Sequence, residues 1–169
     1  MAEAAPLILT ALMDRPAFQK FDNLRKRHFP PERNFIPAHL TLFHHLPGLQ
    51  SEDVVADVKA EARHERVMTA RTVRVHMMGR GVSYIVDCRA LADVRERLAN
   101  RWGDLLIPQD RQGWRPHITV QNKVSAGAAR DLHEALSETF EPFSFAVEGV
   151  TLWWYRGGPW EKLRDIRFS

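Results

Sequence analysis

The sequence predicts an α+β fold with antiparallel sheets in a single domain over residues 1–169. Its 44% hydrophobic and 27% charged residues are ordinary proportions for a soluble globular chain. Segments rich in strand-forming residues alternate with segments whose apolar residues recur every three to four positions, as in helices. A hairpin pattern lies near the middle, and no dinucleotide-binding or P-loop glycine pattern accompanies the strands. These observations favour antiparallel strands over a parallel nucleotide-binding sheet.

The first half of the chain is predicted to form strand, helix, strand and helix. Residues 4–13 are an apolar run. They are not expected to be a signal peptide, because no positive charge precedes them, and a buried strand is predicted instead. A helical pattern begins at Asp14 and ends at the prolines of residues 30–31. Residues 39–46 predict a second strand. Ser51 is expected to cap a second helix with a valine-rich apolar stripe.

The second half is predicted to form a hairpin, a helix, a strand, a helix and terminal strands. Residues 69–78 and 82–88 are rich in β-branched side chains and flank a glycine-containing turn that suits a tight hairpin. Apolar residues between positions 91 and 105 have helical spacing, and another strand begins at His117. Ser125 precedes a fourth helix. The C-terminal strands hold three of the five tryptophans, which are expected to fill the core.

Cysteine content and hydropathy exclude several classes of protein. The single cysteine, Cys88, cannot form an internal disulfide or a cysteine-ligated zinc site, so a cytoplasmic location is expected. No segment approaches the roughly 20 apolar residues of a membrane-spanning helix, and no role at a membrane is expected. The net charge of +3 is compatible with phosphate-bearing partners but is also normal for a soluble protein.

Two segments, residues 39–42 and 117–120, both read histidine, apolar, threonine, apolar. Residues two apart on a strand share a face, so each segment projects an imidazole and a hydroxyl together. Such a pair arises by chance in about two sequences per thousand of this composition. The alternative is that two half-buried strands each carry a hydrogen-bonded histidine beside a threonine by coincidence. Together the strands would supply a four-membered site of His39, Thr41, His117 and Thr119.

This pair of motifs resembles the signature of the 2H phosphoesterase superfamily, which includes 2′-5′ RNA ligases and RNA 2′,3′-cyclic phosphodiesterases. The resemblance covers nearly the whole chain in its length, its order of elements and the separation of its motifs. It implies two pseudo-symmetric lobes of antiparallel sheet with helices outside. Each lobe is expected to contribute one motif to a central cleft between them. The two lobes together form one domain over residues 1–169.

The residue types suit the opening of a cyclic phosphodiester. This reaction needs a base for water, an acid for the departing ribose oxygen, and donors for the non-bridging oxygens. Two imidazoles can be acid and base because their ordinary pKa of about 6.5 allows either protonation state near neutral pH. The resemblance implies that His39 donates and His117 accepts a proton, with the roles exchanged in reverse 2′-5′ ligation. No cofactor is expected, and two histidines without neighbouring carboxylates or cysteines are a poor metal-binding set.

Residues beside the motifs are predicted to contact the substrate. Strand alternation places Gln121 and Lys123 on the face of the second motif, where relatives usually carry an arginine. Lys123 either supplies that positive charge or is a solvated strand end. Trp114 and Arg115, just before the second motif, either clamp a nucleotide or anchor the loop.

The same alternation of side chains between the two faces of a strand applies to the residues after the first motif. It places Phe43 and His45 towards the cleft, so that Phe43 either stacks on a base or fills the core. The adjacent histidines 44 and 45 are not expected to bind a metal together, because neighbouring strand residues point to opposite faces. The basic run of residues 25–27 is expected to be a solvated helix face.

The sequence therefore predicts a monomeric, metal-independent phosphodiesterase that opens 2′,3′-cyclic phosphates or cleaves 2′-linked phosphodiesters of RNA ends or nucleotides. One alternative is a non-catalytic nucleotide- or RNA-binding module on the same fold, which histidines too far apart to share a phosphate would favour. A second is an enzyme for a small cyclic nucleotide or ADP-ribose derivative, for which long oligonucleotides would not compete.

Overall fold

The structure is a computed structural model that describes residues 4–169. Its strands are β1 (Leu7–Met13), β2 (Thr41–Leu46), β3 (Met68–Met77), β4 (Val82–Asp87), β5 (His117–Gln121), β6 (Ser144–Trp154) and β7 (Glu161–Arg167). Its α-helices are α1 (Arg15–His28), α2 (Ser51–Ala62), α3 (Arg89–Trp102), α4 (Pro108–Arg111) and α5 (Ala126–Glu138). Every strand and helix predicted from the sequence is present. The one-turn helix α4 was not predicted; its proline-containing segment, between the helical pattern of residues 91–105 and the strand at His117, has the composition of a loop.

All seven strands belong to one antiparallel sheet with the order β2-β1-β6-β3-β4-β5, and β7 pairs with β6. The long strand β6 connects the strands β1 and β2 to the strands β3, β4 and β5. Its residues 144–147 pair with β3, and its residues 149–154 pair with β7. Strands β2 and β5 are at opposite ends of this order, yet Leu40 forms an antiparallel bridge with Ile118. The sheet therefore curls until its ends meet. The α+β fold with antiparallel strands is confirmed.

The helix α1 begins and ends where its sequence predicts. The side chain of Asp14 accepts a hydrogen bond from the Ala17 amide at 2.8 Å, which caps the helix start, and prolines follow its last turn. Its Phe21 is fully buried against the rings of Phe143 and Phe145, with centroids 5.5 and 5.6 Å away. Burial of such a side chain contributes about 1.5–3 kcal/mol. No helix within residues 4–169 has the length and apolarity needed to cross a membrane.

Two predicted helix details are wrong. Ser51 is the first residue of α2 rather than its cap, and the cap position is held by Gln50 without a side-chain hydrogen bond. On α5, the apolar residues that recur at helical spacing from Ala128 predict that Ala128 lies on the buried face, but Ala129 is fully buried and Ala128 is exposed. Ser125 does cap α5, because its hydroxyl accepts from the Ala128 amide at 3.1 Å.

Candidate active site

The two motif histidines are held in the same way. Nδ1 of His39 lies 2.8 Å from the carbonyl oxygen of Pro37, and Nδ1 of His117 lies 2.8 Å from the carbonyl oxygen of Arg115. A carbonyl oxygen can only accept, so Nδ1 carries the proton in each ring. Each histidine therefore has Nε2 left for proton exchange with a bound molecule.

A small cavity lies between the two motifs. Its volume is about 110 Å³, and its lining includes the four motif side chains together with Ile8, His44 and Trp160. This volume corresponds to roughly four water molecules at their share of liquid volume, so a phosphate group fits and a nucleoside does not. The structure thus brings together the four residues His39, Thr41, His117 and Thr119, although the two motifs are 78 positions apart in the chain.

The strand β2 is bulged directly after its motif. Thr41 pairs with Thr10, but the next partner along β1, Leu9, pairs with Phe43, so one extra residue is inserted in β2. The extra residue reverses the alternation of side chains. Phe43 is consequently fully buried, 5.0 Å from the Trp102 ring, and the prediction that it faces the cleft is wrong.

The strand β5 has an equivalent bulge after its motif. Thr119 pairs with Ser83, whereas Gln121 pairs with Val82, so β5 also carries one extra residue. Gln121 is therefore buried, in the position that corresponds to Phe43, and does not line the cavity. Lys123 lies beyond the end of β5 in a left-handed turn with φ of 63° and is exposed, so it does not share the motif's face either. Strand alternation therefore misplaced both residues: the bulge turns Gln121 away from the face of His117 and Thr119, and the turn carries Lys123 beyond the strand.

The bulged part of β2 is held by the carboxylate of Asp110 on α4. This fully buried carboxylate accepts hydrogen bonds from the backbone amides of His44 and His45, each at 2.9 Å, and from Nδ1 of His44 at 3.1 Å. Burial alone would raise the pKa of Asp110, but these hydrogen bonds hold the pKa below its usual range. His44, not His45, is consequently the residue turned to the cavity, in reverse of the predicted alternation.

The electrostatic surroundings keep His39 neutral. Burial lowers its pKa to about 4; the hydrogen bond to the Pro37 carbonyl acts in the opposite direction, and the charge of Arg25 lowers the pKa further. Arg25 was expected on a solvated face, but it is buried and donates to the Thr119 carbonyl at 3.3 Å and to Asn34 Oδ1 at 2.7 Å. Arg25 thus braces the second motif from α1.

Trp160 is a site residue that the sequence did not reveal. Its ring centroid lies 4.6 Å from that of His39 and 6.1 Å from that of Trp153. The C-terminal tryptophans were expected to fill the core, whereas Trp160 follows a glycine turn and lines the cavity. The only sequence signal was that turn, which does not indicate a site 121 positions from His39.

Two larger clefts adjoin the cavity. One, of about 500 Å³, shares His39 and Trp160 with it. The other, of about 520 Å³, shares three lining residues with the cavity and is also bordered by Trp114 and Arg115. Nε1 of Trp114 donates to the Thr41 carbonyl at 2.9 Å, so the tryptophan both anchors the loop and forms a wall of this cleft. Within residues 4–169, no group of three or more histidine, cysteine, aspartate and glutamate side chains is arranged to hold a metal ion.

A sequence profile of the 2′-5′ RNA ligase superfamily matches residues 13–159. Among solved structures, TT0787 of Thermus thermophilus superimposes with a TM-score of 0.69 at 17% identity, covering 96% of this chain and 97% of that one. E. coli LigT complexed with 3′-AMP has a TM-score of 0.61 at 22% identity, and LigT complexed with phosphate has 0.60 at 20%; each comparison covers 99% of both chains. At these identities the likeness establishes the shared fold. No curated protein matches the chain significantly.

Proposed function

Because the chain belongs to the 2′-5′ RNA ligase superfamily, we propose that it is a metal-independent phosphodiesterase that opens 2′,3′-cyclic phosphates of RNA ends or nucleotides, or cleaves their 2′-linked phosphodiesters. Membership by itself supports a phosphoesterase of the 2H type. The observation that carries the finer proposal is the pair of histidines. Each has its Nδ1 held by a backbone carbonyl, and both border one phosphate-sized cavity.

The proposed reaction opens the ring with water. Nε2 of His117 accepts a proton from the water, whose oxygen forms a bond to phosphorus. The bond from phosphorus to the ribose 3′ oxygen breaks, and Nε2–H of His39 donates a proton to that oxygen, leaving a 2′-phosphate. In 2′-5′ ligation a ribose 5′ hydroxyl takes the place of water, so His117 and His39 keep these roles. The exchange of roles expected from the sequence applies to the reverse step, in which the 3′ hydroxyl attacks phosphorus and the 5′ oxygen leaves.

The threonine hydroxyls are proposed to donate to the non-bridging oxygens as charge builds on them. Among residues 4–169, the hydrogen-bond acceptor of Thr119 Oγ1 is the sulfur of Met78, at 3.8 Å. A phosphate oxygen is a far stronger acceptor than a thioether, so substrate would displace this contact. Thr41 lies at the border between the cavity and the cleft beside Trp114.

The donor role of His39 is proposed to depend on the substrate itself. With a pKa lowered to about 4, His39 is neutral near pH 7 while the cavity holds no anion. A phosphate within hydrogen-bond reach favours the protonated ring, because opposite charges stabilise each other in a partly buried site. The acid is therefore expected to form as the phosphate binds.

Nucleotides are the proposed substrate class. Structures of E. coli LigT are described as complexes with 3′-AMP, NADP+ and ATP, which supports a nucleotide ligand for a chain of the same fold. The two clefts of about 500 and 520 Å³ have room for the groups that flank a phosphate in the cavity. Trp160 in one cleft and Trp114 with Arg115 in the other offer surfaces for base stacking.

The alternative of a non-catalytic binding module is less well supported. It would be favoured by histidines too far apart to share a phosphate, and these histidines border the same cavity. The chain is proposed to act as a monomer, and the four motif side chains of one copy already border one cavity.

Hydrolysis assays test the proposal. Nucleoside 2′,3′-cyclic phosphates and an RNA ending in a 2′,3′-cyclic phosphate would be incubated with the wild type and with His39→Ala, with and without a chelator, and the product isomer identified. The expected result is a chelator-resistant 2′-phosphate product that the variant does not form. No turnover of any of these substrates would contradict the proposed activity, and strict dependence on divalent metal would contradict the mechanism.

A further inference from the structure

His44 is a third histidine at the cavity, outside the two motifs. It lines the phosphate-sized cavity together with the motif residues, and it also lines the larger cleft beside Trp114 and Arg115. Its side chain is 43% exposed, so a ligand can reach it. The bulge in β2 gives it this position, because without the extra residue it would face away from Thr41.

The orientation of the His44 ring is set by Asp110. The Nδ1 atom lies 3.1 Å from Oδ1 of this buried carboxylate, which also accepts the backbone amide of His44. The carboxylate already accepts two backbone N–H groups and its pKa is held below the usual range, so it is ionised and Nδ1–H is the donor in this pair. Within residues 4–169, Nε2 of His44 makes no hydrogen bond, and it is at the opposite edge of the ring from Asp110.

The main chain that carries Asp110 is held by Arg95. Arg95, which is buried, donates from Nη2 to the Asp110 carbonyl at 2.7 Å and from Nε to the Leu42 carbonyl at 3.2 Å. One arginine therefore ties α4 to the bulge of β2. His44 is thus held by a buried network, an arrangement more typical of a functional side chain than of a solvated one.

We propose that His44 binds a non-bridging oxygen of the phosphate in the cavity through Nε2–H, with Asp110 as its positioning residue. With Nδ1–H donated to the carboxylate and Nε2–H donated to the phosphate, the ring is a cation between two anions, which is the stronger class of hydrogen bond. The inference rests on the proposed function, because it assigns a further contact to the same phosphate. It also supplies a positive charge in a site where Lys123 does not.

The matched variants are His44→Asn and His45→Asn. Asparagine keeps an N–H close to the position of Nδ1, so the contact with Asp110 is retained while Nε2 is removed. His45 is the adjacent exposed residue, and its side chain does not line the cavity. His44→Gln provides a rescue, because its amide lies close to the position of Nε2.

Binding of inorganic phosphate and of a nucleoside 2′-monophosphate would be measured by isothermal titration calorimetry, with thermal midpoints recorded for every variant. We expect His44→Asn to weaken both affinities about tenfold, since one hydrogen bond between charged groups is lost. His45→Asn is expected to stay within about twofold, and His44→Gln to recover part of the loss. Asp110→Asn, if it folds, is expected to weaken phosphate binding severalfold.

The outcomes separate this inference from the proposed function. If His44→Asn binds phosphate as the wild type does, or if the wild type binds no phosphate, the inference is wrong whatever the hydrolysis assays give. If phosphate binding depends on His44 but no cyclic phosphate is hydrolysed, the inference holds and the proposed reaction fails. An equal loss of affinity in His45→Asn would assign the effect to the bulge rather than to Nε2 of His44 and overturn the proposal.

Discussion

Leu40 and Ile118 form an antiparallel β-bridge, and each stands between the histidine and the threonine of its own motif. Both bridge residues are fully buried, while the flanking histidines and threonines line one cavity. The two ends of the curled sheet therefore meet at the motifs themselves. The bridge therefore places the backbones of the two motifs side by side, so that both histidines reach one cavity.

Replacing either motif histidine is expected to abolish most turnover without unfolding the chain. His39→Ala and His117→Ala should each lower kcat for a nucleoside 2′,3′-cyclic phosphate by about 10² to 10⁴, because each removes one proton-transfer group. Stopped assays with thermal midpoints measured in parallel check this, and His45→Ala is the matched control. Full activity in either motif variant would refute acid-base catalysis by this pair.

The order of the two roles can be tested with a substrate whose leaving group needs no proton. A p-nitrophenyl phosphodiester releases a stable phenolate, so loss of the acid should matter little while loss of the base still matters. We expect His39→Ala to lose much less rate on this ester than on a cyclic phosphate, and His117→Ala to lose rate on both. The reverse pattern would assign His39 as the base.

The lowered pKa of His39 predicts a pH-dependent stability. Between about pH 4 and 6.5 the unfolded chain binds a proton on His39 that the folded chain does not, because the pKa is 6.5 when unfolded and about 4 when folded. The free energy of unfolding should therefore decrease as the pH falls from 6.5 through 4. Urea titrations at pH 7.5 and 4.5 should show a smaller decrease for His39→Asn than for the wild type. The same decrease in both would mean that burial does not lower the pKa of His39.

The bulge in β2 predicts that Phe43 stabilises the core rather than binding a base. Phe43→Ala should lower the free energy of unfolding by about 3–5 kcal/mol, as for other buried aromatic truncations. Phe35→Ala is the control, because Phe35 is 64% exposed and its loss should change stability by less than about 0.5 kcal/mol. Urea unfolding measures both. A Phe43→Ala variant with normal stability and a raised KM would restore the stacking interpretation.

Much of the fold was predictable because its elements are specified locally. The caps at Asp14 and Ser125 and the glycine turn of the hairpin lie within a few residues of the elements they delimit, and the structure contains each of them. The short helix α4 has only four residues, too few to give a helical period, and was missed for that reason.

The two motifs, the four side chains they project and the family they indicate could all be read from the amino-acid sequence, since residues two apart on a strand share a face. What surrounds them depends on the closed sheet. Two one-residue bulges turned Phe43 and Gln121 inward and His44 towards the cavity. Pairing register and contacts with residues far away along the chain, such as Asp110 and Trp160, depend on how the whole sheet closes, and no local pattern encodes that.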